Sequence, residues 1–319
     1  MKILVTGAAG FIGSHLCERL LKIENTDIIG IDSFIGPTPA FLKGKNIENL
    51  LDNPRFTLIN KDILSTDLTN LFKDIDIVYH LAGMPGVRSS WGNDFDLYVT
   101  NNILVTQKLL EAAKNHKSIK KFIFASTSSV YGEKNGRVSE NMSLTPLSPY
   151  GITKLTGEHL CKVYEKNFGI PIIILRYFTV YGPRQRSDMA FHRFIKQILT
   201  DEPITIYGDG SQSRDFTYID DCIDGTVALL DNDTVLGQTI NIGGKERSSI
   251  IDIITQIEKL MKKKATLHFL PKVSGEPMHT WADISLAEKL LGYSPKVTLK
   301  QGLEKELNLF RSIYGEKKG

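Results

Sequence analysis

The chain has 319 residues, of which 41% are hydrophobic and 24% are charged, proportions that are ordinary for a globular protein. Its 39 basic and 36 acidic residues give a formal net charge of +3, which does not support a nucleic-acid or anionic-membrane partner. Cys17, Cys161 and Cys222 are odd in number and widely spaced, a pattern that favours reduced, buried thiols over disulfides or a metal site. No apolar run approaches the roughly 18 residues of a membrane span and no signal sequence is visible, so the sequence predicts a cytoplasmic protein.

A strand, a glycine-rich turn and a helix open the chain. The apolar run at residues 3–5 leads into the turn at residues 7–13, and residues 14–22 have helical periodicity. This order aims backbone N–H groups and a helix N-terminus at a pyrophosphate, although the spacing G-x-x-G-x-x-G differs from the commonest fingerprint. The residues of the turn expected to contact a dinucleotide are Gly7, Gly10, Phe11, Ile12 and Gly13.

The second predicted strand, residues 27–31, ends in Asp32, which lies 19 residues beyond Gly13. A carboxylate at this position can accept hydrogen bonds from the adenosine ribose hydroxyls and would repel a 2′-phosphate. Because no Arg or Lys occurs in residues 33–36, the sequence favours NAD over NADP. A loop-capping role for Asp32 is the alternative. Residues 36–53 are expected to form a polar, irregular insertion.

Two more strands are predicted at residues 56–60 and 76–80, and each ends in residues that can face the cofactor. An acidic side chain after the first can recognise an adenine amino group, and small residues after the second let the backbone lie against the cofactor. The residues expected at these strand ends are Asp62, Ile63, Leu81 and Ala82.

Two polar residues near this site are interpreted as structural. His80, at a buried strand end, is expected to be packed and not to act as a base. A helix is predicted at residues 95–114, where Asn102 is expected to bridge strands through buried hydrogen bonds.

A fifth strand at residues 121–125 runs into the hydroxyl cluster Ser126-Thr127-Ser128-Ser129, and a long helix is predicted from Pro149 to about Phe168. Tyr150 and Lys154 should lie one turn apart on one face of this helix. A phenol has an unperturbed pKa of about 10, and a nearby ammonium favours its ionised form, so the pair can serve as a general base. An exposed Tyr and Lys on an amphipathic helix is the alternative.

The sixth strand, residues 170–176, precedes a segment that leaves the sheet. The predicted fold is α/β, a Rossmann-type doubly wound parallel sheet with a second, smaller mixed α/β substrate domain. Residues 1–177 plus about 213–242 are expected to form the NAD-binding domain, and about 178–212 plus 243–319 the substrate domain. The tail is expected to contain three helices and a strand, near residues 250–263, 286–291, 303–313 and 266–269.

Taken together, these motifs resemble the extended short-chain dehydrogenase/reductase family, the NAD-dependent epimerases and dehydratases of nucleotide sugars. The resemblance extends along nearly the whole chain, through Tyr181-Gly182-Pro183 and residues 208–215. It implies that Tyr150 takes a proton from a sugar hydroxyl while hydride passes to NAD, that Lys154 binds the nicotinamide ribose, and that Thr127 hydrogen-bonds the reacting oxygen. Tyr150 and Lys154 would thus also bind the cofactor.

The resemblance also implies a set of substrate contacts. Arg214 would bind the diphosphate, residues 204–207 including Tyr207 would follow the uridine, and Met189 would pack on the base. Arg88 could touch the diphosphate or brace its own loop. Relatives have a second diphosphate-binding Arg near residue 272, where this chain has Lys272 as a possible substitute.

Substrate choice depends on the hydroxyl residues. Dehydratases of the family carry an Asp-Glu pair where this chain has Ser128-Ser129, which argues against dehydration. We expect Thr127, Ser128, Ser129 and Thr179, here called the hydroxyl cradle, to hold a sugar carboxylate, with Arg186 nearby. Thr179 replaces an Asn that is expected in many relatives, including decarboxylases.

Residues 84–91 and 181–191 resemble the UDP-glucuronate 4-epimerases most closely. The implied reaction is C4 epimerisation of UDP-glucuronate to UDP-galacturonate through a transient 4-keto sugar, in the supply of polysaccharide precursors. The alternatives are, in falling order, a UDP-glucuronate decarboxylase, a neutral UDP-hexose 4-epimerase and a non-catalytic NAD-sensing regulator. A homodimer that pairs through the helices at residues 95–114 and 150–168 is expected, with no metal, nucleic acid or membrane partner.

Overall fold

The computed structural model describes residues 1–314, so that the last five positions of the predicted second domain lie outside the described residues. Twelve strands are described. They are β1 (Lys2–Thr6), β2 (Asp27–Asp32), β3 (Phe56–Asn60), β4 (Ile77–His80), β5 (Lys121–Thr127), β6 (Ile172–Tyr177), β7 (Thr179–Tyr181), β8 (Ile204–Tyr207), β9 (Ser213–Tyr218), β10 (Thr239–Ile242), β11 (Glu246–Ser249) and β12 (Leu267–Leu270).

Seven of these strands form one parallel sheet in the order β3-β2-β1-β4-β5-β6-β10. The predicted Rossmann-type architecture is therefore confirmed. The strand order reverses between β1 and β4, and ligands of open α/β sheets bind at the carboxyl ends of the strands beside such a reversal. The glycine turn after β1 and the Leu81-Ala82 segment after β4 lie at this point.

Within residues 1–314, eleven α-helices accompany the strands. They are α1 (Phe11–Leu20), α2 (Ala40–Leu51), α3 (Leu68–Phe72), α4 (Phe95–Tyr98), α5 (Val105–Lys114), α6 (Pro149–Phe168), α7 (Ala190–Leu199), α8 (Ile219–Val227), α9 (Ile250–Met261), α10 (Ser285–Leu291) and α11 (Leu299–Tyr314). A π-helical stretch, Val99–Leu104, joins α4 to α5, so the predicted helix at residues 95–114 is continuous but not uniform. Across residues 1–314, none of the helices combines the length and the apolarity that crossing a bilayer requires.

The core lies on both faces of the central sheet, because side chains of a strand alternate between the faces. In β1, Ile3 and Val5 pack into one apolar cluster and Leu4 into the other. All six side chains of β6 are buried, as expected for a strand covered on both sides. Cys17, Cys161 and Cys222 are buried and free, as predicted.

The prediction of an irregular insertion at residues 36–53 is wrong, because this stretch contains α2. Leu42, Ile47 and Leu50 recur at near-helical spacing and are buried on one face of the helix. Asn46, also buried, donates a hydrogen bond to the Ala9 carbonyl at 3.1 Å. The polar residues between them had masked this amphipathic pattern.

Two smaller sheets lie outside the central one. β11, β9 and β7 form the first, and β12 pairs with β8 in the second. β9 was expected to return to the first domain, but it pairs with β7 and β11, and the chain rejoins the central sheet only at β10. The helices of the tail and β12 lie where predicted, whereas α7 and β11 were not foreseen. The boundaries of the two domains stay a prediction.

Candidate active site

A continuous cleft runs across the carboxyl ends of the central strands. One part, of about 560 Å³, extends toward the small sheets, and an adjoining part, of about 190 Å³, lies over the glycine turn. Both parts share Phe11, Leu81 and Arg186 in their walls. The second part is lined by all of the predicted cofactor residues other than Tyr150 and Lys154, namely Gly7, Gly10, Phe11, Ile12, Gly13, Asp32, Asp62, Ile63, Leu81 and Ala82.

The glycine turn is packed so closely that side chains are excluded at two positions. Gly7 has φ of +72°, and a Cβ there would lie 2.9 Å from the Ala82 backbone nitrogen. A Cβ at Gly13 would overlap the Gly7 carbonyl oxygen. α1 begins at Phe11, within this turn, and no side chain caps it, so its N-terminus is open to a phosphate and the turn fits a dinucleotide.

Asp32 is 6% exposed and already has several hydrogen-bond donors. Oδ1 accepts from the Phe34 N–H at 2.7 Å and from Lys43 Nζ at 3.0 Å, and Oδ2 accepts from the Ala9 N–H at 3.1 Å. Lys43 lies in α2, 11 residues beyond Asp32, and the sequence analysis did not anticipate it. Lys43 therefore brings a positive charge to the ribose end of the cleft. It is held there by Asp32, the carboxylate that was expected to exclude a 2′-phosphate.

Asp62 faces the cleft while it caps a short 3₁₀ turn, Ile63–Ser65. Its Oδ1 accepts a hydrogen bond from the Leu64 N–H at 2.8 Å. Asp62 also lines the part of the cleft over the glycine turn.

The helix that carries Tyr150 and Lys154 begins where the sequence predicts. Ser148 caps α6 by accepting from the Gly151 N–H at 3.1 Å, and Pro149 occupies the first helical position. Both functional side chains line the larger part of the cleft, with Thr127 at the end of β5. The alternative of an exposed pair does not apply, since Lys154 is 6% exposed.

Burial controls the protonation of this pair. It lowers the pKa of Lys154 to about 8, and Nζ lies 4.4 Å from the centre of the Phe124 ring. Burial also raises the pKa of Tyr150, opposed in part by the positive charge of Arg186 and a hydrogen bond with Thr127. The net shift of the Tyr150 pKa is therefore upward, opposite to the lowering expected from Lys154.

All four residues of the hydroxyl cradle line the larger part of the cleft. The Thr127 hydroxyl donates to Ser129 Oγ at 3.3 Å and accepts from the Ser129 N–H at 3.2 Å. Arg186 also lines the cleft, and its guanidinium donates twice to Asp188, at 3.0 and 2.9 Å. Met189 follows and precedes α7.

Two arginines meet one carboxylate at the opposite end of the cleft. Arg88 donates from Nε to Glu276 Oε1 at 2.7 Å and lies 4.5 Å from the centre of the Tyr207 ring. Arg214 Nη2 lies 3.5 Å from Glu276 Oε2. Lys272, the suggested substitute for a missing arginine, is exposed and does not line the cleft. Glu276 was not anticipated, because no motif places it beside two arginines.

His80 and Asn102 are structural, as predicted, although Asn102 does not bridge strands. His80 is fully buried between the hydroxyls of Thr6 and Thr106, each at 2.9 Å, and burial lowers its pKa to about 3. Asn102 Oδ1 accepts from the Met84 N–H at 2.7 Å, and Nδ2 donates to Thr153 at 3.0 Å. Asn102 therefore connects the segment after β4 to α6.

Comparison with known proteins agrees with this geometry. Residues 3–243 match the model of the NAD dependent epimerase/dehydratase family. The chain belongs to this family. It is 61% identical over 314 residues to an uncharacterized UDP-glucose epimerase of Bacillus subtilis, YtcB, with 98% of this chain and 99% of the relative covered. It is 42% identical over 311 residues to a UDP-glucuronate 4-epimerase of Thermodesulfobacterium geofontis, with 96% and 94% covered.

The fold is shared with a solved member of the family. A crystal structure of UDP-glucuronic acid 4-epimerase from Bacillus cereus, in complex with UDP-glucuronic acid and NAD, superposes with a TM-score of 0.97. The two sequences are 65% identical, and the comparison covers 98% of this chain and 100% of that one. The fold and the use of NAD expected from the sequence are thereby confirmed.

The contact between Asp32 and Lys43 yields a prediction about cofactor choice. Asp32→Ala removes a charged acceptor for the ribose hydroxyls and leaves Lys43 without its carboxylate, so affinity for NAD should fall about tenfold or more while affinity for NADP rises. Calorimetric titration with each nucleotide measures both changes. The double variant Asp32→Ala, Lys43→Met should lose NAD affinity without gaining NADP affinity; an equal gain in both variants would contradict the role given to Lys43.

Proposed function

We propose that the protein catalyses the NAD-dependent C4 epimerisation of UDP-glucuronate to UDP-galacturonate. The observation that carries this proposal is the hydroxyl cradle, which lines the larger part of the cleft together with Tyr150 and Arg186. A set of hydroxyl donors beside a cation suits a sugar carboxylate, which a neutral hexose lacks. The Bacillus cereus relative, whose structure contains UDP-glucuronic acid, supports the same choice.

The cofactor is assigned to the part of the cleft over the glycine turn. Gly7, Gly10 and Gly13 let the backbone of residues 7–13 approach the pyrophosphate, and Asp32 accepts from the adenosine ribose. Lys154 holds the nicotinamide ribose. NAD, when bound, accepts hydride from C4 of the sugar and returns it to the other face of the ring.

Tyr150 is the proposed general base. Its hydroxyl oxygen takes the proton from the C4 hydroxyl as the 4-keto sugar forms, and gives a proton back when the alcohol is restored. In the proposed complex the Thr127 hydroxyl turns its proton from Ser129 to the same sugar oxygen and keeps that oxygen in reach of the phenol. Because burial raises the pKa of Tyr150, an added positive charge at the site is needed to make the phenol an effective base.

The active site must control the orientation of the sugar carboxylate. A 4-keto glucuronate is a β-keto acid, which loses CO₂ when its carboxylate turns perpendicular to the ketone. The proposed role of the hydroxyl cradle is to hold the carboxylate away from that alignment while the ring turns over. Arg186 contributes positive charge, and its present pairing with Asp188 would have to change for direct contact.

The diphosphate and the uridine are assigned to the far end of the cleft. Arg214 binds the diphosphate as a planar fork, and Arg88 lies within reach of the same group. Tyr207 and Met189 pack along the uridine and its base. The contact of both arginines with Glu276 supports this assignment, because an anion already holds them together in the cleft.

A neutral UDP-hexose 4-epimerase is the second candidate. The specific observation in its favour is the Bacillus subtilis relative, which is described as a UDP-glucose epimerase and is 61% identical. The decarboxylase alternative has weaker support, since a plant UDP-glucuronic acid decarboxylase is 31% identical. A non-catalytic regulator would lack the Tyr150 and Lys154 pair that this cleft contains.

The reaction is tested with the purified enzyme, catalytic NAD and UDP-glucuronate. We expect UDP-galacturonate, no net reduction of NAD and little CO₂, detected by nuclear magnetic resonance and a carbonate assay. Tyr150→Phe should lower kcat by about a thousandfold or more with folding intact, because the base is lost. UDP-pentose with one CO₂ per turnover would establish the decarboxylase instead, and equal turnover of UDP-glucose would establish the neutral-hexose enzyme.

Thr179→Ala tests the hydroxyl cradle. Loss of one donor to a carboxylate should lower kcat/KM for UDP-glucuronate by about tenfold and increase the fraction of turnovers that release CO₂. Thr179→Ser, which retains the hydroxyl, is the matched control and should behave like the parent enzyme. A Thr179→Ala enzyme with unchanged activity and no added CO₂ would count against the cradle.

We also propose that the enzyme is a cytoplasmic homodimer. Exposed apolar side chains occur on both helical segments expected at the interface, namely Leu97, Val99, Leu104, Ile152, Val163 and Phe168. Reduced cysteines suit the cytoplasm. Sedimentation velocity should give twice the chain mass, and Leu104→Glu should shift the protein toward monomer, whereas an exposed change elsewhere, Leu51→Glu, should not.

A further inference from the structure

A buried charge network adjoins the catalytic helix. Glu158 follows Lys154 by one turn on α6, and its carboxylate accepts from Arg176 on β6, at 2.9 Å from Nε and 2.6 Å from Nη2. Both side chains are 2% exposed. Ser126 on β5 donates a third hydrogen bond, at 2.5 Å. The carboxylate is therefore fixed where α6 meets two neighbouring strands.

The network continues on the other side of Arg176. Nη1 donates to the Tyr131 hydroxyl at 2.9 Å and to the Glu140 carbonyl at 3.2 Å, and Tyr131 in turn donates to Asn241 on β10 at 2.7 Å. These contacts leave the guanidinium no freedom to follow a shift of α6. Arg176 is thus held in place in the sheet, and it in turn holds the Glu158 carboxylate.

Stability alone gives little reason for such a pair. Apolar residues of similar volume often replace a buried ion pair without loss of stability, because removing two charges from water is costly. The position of this pair suggests another role. Ser126, which holds Glu158, directly precedes Thr127, which is hydrogen-bonded to Tyr150. β5 and α6 are therefore joined by two neighbouring contacts: Ser126 with Glu158, which is structural, and Thr127 with Tyr150, which involves the reacting group.

The groups around Lys154 show what the carboxylate adds. On α6, burial keeps Cys161 and Tyr150 in their neutral forms, and on β4 the low pKa of His80 keeps the imidazole neutral. β5 contributes the uncharged ring of Phe124. Glu158 opposes the effect of burial on the pKa of Lys154, while Arg176 on β6 pairs with the same carboxylate and offsets part of its charge.

We propose that Glu158 is a positioning residue of the epimerase: its carboxylate, held by Ser126 and Arg176, fixes α6 against β5 and β6 and places a negative charge one turn from Lys154. The proposal rests on the proposed function for the roles of Tyr150 and Lys154. Glu158 itself does not line the cleft, so it acts through its neighbours.

Glu158→Gln tests the proposal in the NAD-bound enzyme. Without the carboxylate the ammonium of Lys154 is less favoured, so the alkaline limb of the kcat profile should move to lower pH by about one unit. kcat should fall about tenfold while KM changes by less than about twofold, since the diphosphate and uridine contacts are untouched. Glu165→Gln, on the same helix but away from Ser126 and Arg176, is the matched control and should leave the profile unchanged.

A double variant guards against misfolding, because glutamine leaves the Arg176 charge buried without its partner. Glu158→Leu with Arg176→Met removes both charges, and thermal unfolding shows whether the fold is kept. The alkaline limb should move less in this variant than in Glu158→Gln, because the positive charge of Arg176 is lost together with the carboxylate. kcat should again fall about tenfold, since α6 loses its charged contact with β6. A folded double variant with the parent kcat, or a Glu158→Gln enzyme whose kcat falls without any shift of the limb, would overturn the proposal.

The titration of Lys154 can also be followed without turnover. In protein labelled with nitrogen-15 at lysine, the side-chain signal lost in Lys154→Arg identifies Lys154, and its pKa should fall in Glu158→Gln. If UDP-glucuronate is not epimerised but this pKa falls, the proposed function fails and the role of Glu158 in the charge of Lys154 stands. An unchanged Lys154 pKa overturns the proposal whatever the substrate.

Discussion

The close packing of α6 on the middle of the central sheet is the constraint on which the site depends. Gly157 allows this approach, since a Cβ there would lie 2.5 Å from the Phe124 ring. One residue further, Glu158 is tied to Ser126 and Arg176. With no side chain at one position and a fixed charge at the next, the helix has little freedom to slide or rotate. Tyr150 and Lys154 are thereby held at the ends of the strands, where both side chains line the cleft.

Four cations of the cleft share a second feature, which is that acidic side chains already hold them. Lys43 contacts Asp32, Arg186 contacts Asp188, and Arg88 and Arg214 meet at Glu276. A doubly charged diphosphate or a carboxylate must therefore compete with groups of the protein. This competition lowers the affinity of the cleft for nonspecific anions. It favours a ligand that places negative charges at several of these cations together. A UDP-sugar acid has negative charges on its diphosphate and on its sugar carboxylate, which suits this arrangement.

Sequence patterns predicted the features of the molecule that are formed by residues close together in the chain. The strand, turn and helix at the start, the capped helix at Ser148 and the residues that line the cleft could be read from spacing and from the family resemblance. α2 could not, because its buried face includes Asn46 and its polar residues resemble those of a loop. Lys43 and Glu276 were missed for a related reason: each meets its partner through the tertiary fold. The pairing of β9 with β7 likewise depends on the sheet and not on its own residues.

The chemistry of the pair on α6 follows from burial. Removal from water raises the pKa of Tyr150 and lowers that of Lys154 to about 8, so both changes favour uncharged side chains. A phenol in that condition is a poor base, and the site gains proton-accepting power only as positive charge comes near. Glu158 retains one such charge on Lys154, and a bound oxidised nicotinamide would add another. Base strength would then rise when oxidation of the sugar is possible and fall once hydride has been transferred, which holds the proton on Tyr150 for the return step.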